Sequence, residues 1–188
     1  KKIVIPDSTT EIGMGCFDGC SSLCEAILPE NLNVLPESCF RDCSALKNII
    51  LPQSVTEIQK FCFAGCSSLS SISLSGNLKT IGDLAFFGCS SAGELYIPDS
   101  VKNIGIHSLG FNEYGRISGF SITGNSDSAA EKYAEKNKFP FSEQPETADA
   151  FAPQKSRNAP IKLPEIFLFA GLFFLIMALI SSFRNSRK

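Results

Sequence analysis

The stretch Leu51-Pro-Gln-Ser-Val-Thr-Glu-Ile58, continued after three residues by Cys62-Phe63-Ala-Gly-Cys66-Ser-Ser-Leu69-Ser-Ser-Ile72, decides the fold because its pattern recurs. Phe17, Phe40, Phe63 and Phe86 step by 23 residues, and so do Cys20, Cys43, Cys66 and Cys89. Ile12, Leu35, Ile58, Ile81 and Ile104 keep the same phase, as do Leu23, Leu46 and Leu69. Pro6, Pro29 and Pro52 follow it, and Pro98 returns two periods later. Four complete units and a fifth, degenerate one fit one register. Coincident columns at a single period mark a repeat array.

Each unit opens on a short apolar triplet: Ile3–Ile5, Ala26–Leu28, Ile49–Leu51, Ile72–Leu74 and Leu95–Ile97. These read as strands whose first and third side chains point inward and whose middle one points out. Phe120–Ile122 reads as a sixth, after a unit that has gained two residues. A Pro ends the strand where its missing N–H costs least. Ser-Val-Thr-Glu-Ile then turns the chain and returns one apolar side chain. Cys-Phe-x-Gly-Cys reads as a short helical or 3₁₀ turn that places Phe and Cys inward. No unit buries these residues alone. Stacking them gives a β-rich solenoid of 23-residue repeats with a parallel sheet on one face and short turns opposite.

The pattern resembles the BspA-like, or Treponema-pallidum-type, leucine-rich repeat family, whose L-P-x-S-V-T-x-I-G-x-x-A-F-x-G-C-S-S-L-x-x-I is legible in Leu51–Ile72 and Leu74–Leu95. The resemblance covers roughly residues 1–141. Cys16, Cys39 and Cys62 stand where the family usually has Ala, as at Ala85, and Pro36 where it usually has Gly. Leu109 replaces Phe and Asn112 replaces Cys in the fifth unit, as expected near a solenoid end. The resemblance implies adhesion to host or neighbouring-cell proteins, extracellular matrix among them.

Residues 1–124 are thus the repeat solenoid, and 125–141 a capping helix and closing segment. Ser128 with Glu131 fits a capping box, and Asn137 suits the C-cap. Ala130, Tyr133 and Ala134 form the apolar stripe of that helix. Residues 142–162, with three Pro and no periodicity, read as a flexible linker. A transmembrane helix is expected over 163–183. Its core, Ile166–Phe183, carries no charge and no Pro, and eighteen residues span roughly 27 Å, close to a bilayer core. Residues 184–188 form a short basic tail with Arg184, Arg187 and Lys188, which orients the tail to the cytoplasm and the repeats outside. Leu163-Pro164 begins like a cell-wall sorting signal, but Ile166 and Phe167 stand where Thr and Gly would be cleaved. The start at Lys1, without Met or an apolar leader, reads as a segment whose export signal lies upstream or was removed.

Composition narrows the function. The 188 residues carry 17 Lys+Arg, 19 Asp+Glu and one His. No basic surface for nucleic acid follows from that balance. A lone His107 offers little for His catalysis or a multi-His metal site. Ser-Ser pairs recur with the repeat, whereas a nucleophile needs one activated Ser. The mean hydropathy of +0.10 averages an aqueous solenoid and one apolar span. No catalytic residue, metal site or cofactor is expected. The eight Cys could form disulfides or, as C-x₃-C pairs, suggest metal. Seven of them occupy two repeat columns beside the inward Phe, which favours buried free thiols, with Cys24 outside the columns and partly exposed. The core ladder is Phe17, Phe40, Phe63 and Phe86 with Cys20, Cys43, Cys66 and Cys89.

A candidate protein-binding face lies on the strands. Val4, Ile27, Ile50, Ser73, Tyr96 and Ser121 are the middle, outward residues, and Lys2, Glu25, Asn48, Ser71 and Glu94 form the neighbouring outward column. Strand spacing of roughly 4.8 Å places each column in contact along the sheet. An exposed apolar stripe of this kind marks a contact surface, although β-branched residues also favour strand neighbours for their own sake. The expected function is a membrane-anchored cell-surface protein, at the plasma membrane or cell surface, that binds an extracellular protein ligand such as a host matrix protein. The alternative is a structural scaffold or stalk without a specific ligand.

Overall fold

The computed structural model describes residues 1–143. Nearly all of the expected linker, the membrane span over 163–183 and the basic tail lie outside the described residues. Among the described residues no helix is long and apolar enough to cross a membrane. In chain order the elements are β1 Lys2–Val4, β2 Glu25–Ile27, β3 Val34–Leu35, β4 Asn48–Ile50, β5 Glu57–Ile58, β6 Ser71–Ser73, β7 Thr80–Ile81, β8 Glu94–Tyr96, β9 Asn103–Ile104, β10 Phe111–Asn112, β11 Gly115–Arg116, β12 Ser121–Gly124, α1 Ala129–Asn137 and β13 Phe141–Glu143.

The apolar triplets form the first ladder, β1-β2-β4-β6, all parallel. Partners such as Lys2 and Glu25, or Ile49 and Ile72, are one 23-residue period apart. Alternation along the strand sends Ala26, Leu28, Ile49 and Leu51 into the core. The ladder does not run unbroken to the end. β8 pairs with β12, and β12 with β13, as a separate sheet. The break coincides with Ala92, which takes the place of Leu23, Leu46 and Leu69 in the core column.

The single sheet expected from the sequence is incomplete in a second respect. The column Leu35, Ile58, Ile81, Ile104 builds a ladder of its own, β3-β5-β7-β9, also parallel. Two-residue strands suffice because every repeat donates to the one before it, as Gly82 N–H does to Ile58 O at 2.7 Å. The Cys-Phe-x-Gly-Cys segments are isolated i→i+3 turns rather than a helical turn. Arg41 N–H donates to Ser38 O and Cys43 N–H to Phe40 O. Left-handed residues interrupt them at Gly15, Ser38, Phe61 and Leu84, and again at Gly19, Asp42, Gly65 and Gly88. A left-handed residue cannot continue a right-handed helix. The turns are tied across repeats by bonds such as Phe40 N–H to Cys62 O at 2.8 Å and Phe63 N–H to Ala85 O at 2.7 Å.

The core runs between these three faces. Phe17, Phe40, Phe63 and Phe86 stack with ring centroids 5.0, 5.4 and 5.1 Å apart. Each such pair adds about 1 kcal/mol beyond its buried area. The remaining buried apolar side chains join the rings in one continuous cluster.

The last unit corrects the register expected for the sixth strand. Ile122 pairs with Leu95 and Thr123 with Tyr96, so Ser121 sits beside Glu94. The unit has gained four residues, not two, and the antiparallel hairpin β10–β11 lies within the lengthened unit. Ile122 rather than Phe120 therefore fills the strand's inward position. Helix α1 follows. Ser128 Oγ accepts from Glu131 N–H at 3.3 Å, and the Glu131 carboxylate accepts from Asp127 N–H at 2.6 Å. The helix ends one residue later than expected. Asn137 is its last residue, and Lys138 in the left-handed region is the C-cap.

Candidate functional site

The strand face is built from side chains that alternation turns away from the core. Val4 is 59% exposed and Ile50 53%, with Ile27 half-buried between them. The three lie on adjacent strands, in register with one another through the Lys2–Glu25 and Glu25–Asn48 pairings. Ser73 continues the row on β6, paired with Ile50. Tyr96 is half-buried and belongs to the separate β8-β12-β13 sheet, where Thr123 is its neighbour. Val4, Ile27 and Ile50 are therefore brought together, and Tyr96 is not joined to them by the ladder.

The flanking column is polar. Lys2 Nζ meets Glu25 Oε1 at 2.8 Å, Asn48 and Ser71 are exposed beside it, and Glu94 accepts from the Thr123 hydroxyl at 2.5 Å. The Lys2–Glu25 pair is solvent-exposed and contributes little to stability. Its effect is to leave the apolar row beside a compensated rim rather than a charged one.

The cysteines separate by repeat. Cys39, Cys43, Cys62, Cys66 and Cys89 are buried, whereas Cys16, Cys20 and Cys24 are exposed. The column expectation thus needs correcting for Cys16 and Cys20, which belong to the first unit and have no described repeat stacked over them. All eight are free thiols. One reason for the column is a bond the sequence did not reveal. Cys43 Sγ donates to Phe17 O at 3.2 Å, Cys66 Sγ to Phe40 O at 3.1 Å and Cys89 Sγ to Phe63 O at 3.3 Å. Burial pushes the Cys39 and Cys89 thiols up to about 12 and Cys43 up to about 11, and it raises Cys62 and Cys66 as well. Raised in this way the five thiols hold their protons at neutral pH, and a thiol is a far weaker nucleophile than a thiolate.

Among the described residues no group of three or more His, Cys, Asp or Glu is placed to hold a metal ion. His107 lies against Phe111, ring centroids 4.3 Å apart.

The family model for the BspA type leucine rich repeat region matches residues 1–113, with six copies. The chain belongs to this family. Among solved structures it is similar to a T. pallidum leucine-rich repeat protein, with 27% identity and a TM-score of 0.59 over 65% of this chain and 57% of that one. A leucine-rich repeat protein from Bacteroides ovatus is 28% identical, with a TM-score of 0.57 over 76% of this chain and 33% of that one. A leucine rich cell surface protein from Faecalibacterium prausnitzii shares the fold at 24% identity and a TM-score of 0.52, over 67% of this chain and 39% of that one. The chain thus spans between a third and three fifths of the length of these solved relatives. No curated protein matches it. In this BspA-type array the Phe and Cys columns carry the stacking, and the variable outward strand positions are free to differ from unit to unit.

Proposed function

We propose that this BspA-type protein is a non-enzymatic, membrane-anchored adhesin whose first strand ladder binds an extracellular protein, a host matrix protein above all. The observation that carries this reading is the row Val4–Ile27–Ile50. Two of its three side chains are more than half exposed on a hydrogen-bonded ladder, and burying such a row against a partner is favourable at about 25 cal/mol per Å² of apolar area. The apolar run Ile166–Phe183, followed by Arg184, Arg187 and Lys188, supports a single-pass anchor with the repeats outside. The Faecalibacterium prausnitzii relative is a leucine rich cell surface protein, which agrees with that placement.

The test is solid-phase binding of the full chain, reconstituted in liposomes, to a panel of immobilised extracellular matrix proteins. Saturable binding to a member of the panel supports the adhesin. Failure to bind any member favours a scaffold or stalk. Protease protection of the C-terminal tail in the same liposomes reports the anchor separately.

A further inference from the structure

Among the described residues the second ladder ends at β9, whose outer edge pairs with no further strand. In each earlier repeat the last residue of the strand passes its carbonyl to the next repeat. Leu35 O accepts from Gln59 N–H at 2.9 Å, Ile58 O from Gly82 N–H at 2.7 Å and Ile81 O from Gly105 N–H at 2.8 Å. A second carbonyl column runs beside it. Asn33 O accepts from Thr56 N–H, Thr56 O from Lys79 N–H and Lys79 O from Lys102 N–H, at 2.8 to 2.9 Å. The next members of the two columns are Ile104 and Lys102. Among the described residues neither carbonyl receives a donor from a further repeat.

Helix α1 packs beside β9 but donates to neither carbonyl. A cleft of about 390 Å³ lies at their junction, lined by residues 102–107 and by Lys132, Tyr133 and Lys136 of α1. Its lining contains three lysines and His107 and no carboxylate. Lys102 Nζ rests on Asp99 O and Lys132 Nζ on Asp127 O, each at 2.8 Å, so both ammonium groups are held by backbone rather than by acids. Among the described residues none of the three lysines forms an ion pair.

We propose that this cleft binds an extended acidic peptide segment of a partner protein, added to β9 as a further parallel strand. An open strand edge is a template for pairing, and main-chain bonds supply affinity in strand addition while side-chain surroundings supply selectivity. Peptide N–H groups donate to Lys102 O and Ile104 O in the register a further repeat would have taken. Carboxylates on the strand meet Lys102, Lys132 and Lys136, which selects acidic sequences and speeds their encounter. The site is separate from the Val4–Ile27–Ile50 row and does not depend on it.

The experiment is fluorescence anisotropy of the full chain with a labelled peptide of alternating Glu and Thr at low ionic strength. Saturable binding that weakens as salt rises is expected. N-methylation of alternate peptide amides, which removes the donors, and the charge reversal Lys132→Glu with Lys136→Glu should each weaken binding roughly tenfold or more. Both lysines are exposed, so the charge-reversed chain should stay folded, which far-ultraviolet circular dichroism checks. Equal binding by the N-methylated peptide overturns strand addition. Equal binding by the charge-reversed chain, or none by the unmodified peptide, overturns the site. Self-association of the chain that disappears on charge reversal assigns the cleft to a second copy and overturns the partner peptide.

Discussion

The phenol of Tyr133 accepts a hydrogen bond from the backbone N–H of Leu109 and donates one to the Leu109 carbonyl, each at 3.0 Å. In the repeats before it, the equivalent N–H donates to the next unit: Phe40 to Cys62 O, Phe63 to Ala85 O, Phe86 to Ser108 O. One side chain from α1 thus replaces the backbone of an absent repeat at the buried end of the turn column. Terminal units of a solenoid need such closure. Tyr133→Phe removes the partner of a buried amide and should cost about 2 kcal/mol. Urea denaturation followed by circular dichroism reads this. An unchanged midpoint would show that the amide finds another partner.

Backbone conformation gives a prediction of the opposite sign. Asp42 has φ 55° in a column otherwise occupied by Gly19, Gly65 and Gly88. The left-handed region costs a residue with a Cβ about 1 kcal/mol. Asp42→Gly should therefore stabilise the chain by about that amount. Its loss of the exposed Arg41 contact at 3.7 Å takes little back. Gly65→Ala should destabilise, because a Cβ there would meet Asp42 Oδ1 and its own φ is 73°. Thermal unfolding of both variants checks the pair of signs.

Thiol reactivity should follow the repeat. Iodoacetamide applied to the native chain without reductant should label Cys16, Cys20 and Cys24 and spare the five buried residues. Denaturation should open all eight. Peptide mass spectrometry reads the sites, and a loss of two mass units on any pair would replace thiols with a disulfide.

The same thiols set an alkaline limit. Burial raises Cys39 and Cys89 from 9.0 to about 12 in the folded chain. Below pH 9 both states hold these protons, and the thiols impose no pH dependence. Between 9.0 and about 12 the unfolded chain releases protons that the folded chain keeps. Stability then falls as pH rises, by about 1.4 kcal/mol per pH unit for each thiol so titrated. Urea midpoints above pH 9 should fall less steeply in Cys89→Ala than in the parent, and equal slopes would contradict the assignment.

Much of this architecture is legible in the sequence because stacking demands periodic columns. Phe17 to Phe86 and the inward triplets had to repeat for a core to exist, and they do. The outward row of Val4, Ile27 and Ile50 followed from alternation alone. The second ladder was hidden because a two-residue strand such as Glu57–Ile58 is too short to show a period. Its bonds are between repeats, where no local pattern records them. The position of Thr123 beside Tyr96 was hidden by the β10–β11 hairpin, which changes the count without leaving a column to follow. Ser38, Phe61 and Leu84 adopt positive φ where no Gly announces it. The lysine-lined cleft arises because α1 packs over the last repeat, so Lys102 approaches Lys132 and Lys136 only in three dimensions.

The measurement that tests the functional account most directly is a binding isotherm for the matrix partner on the parent chain and on Ile27→Ser with Ile50→Ser. Both positions face outward on the ladder, so melting should shift by no more than about 1 kcal/mol per site. Binding should weaken by roughly tenfold or more, as expected when the centre of a contact loses its apolar side chains. A folded variant that binds as tightly as the parent would contradict the strand face as the contact surface.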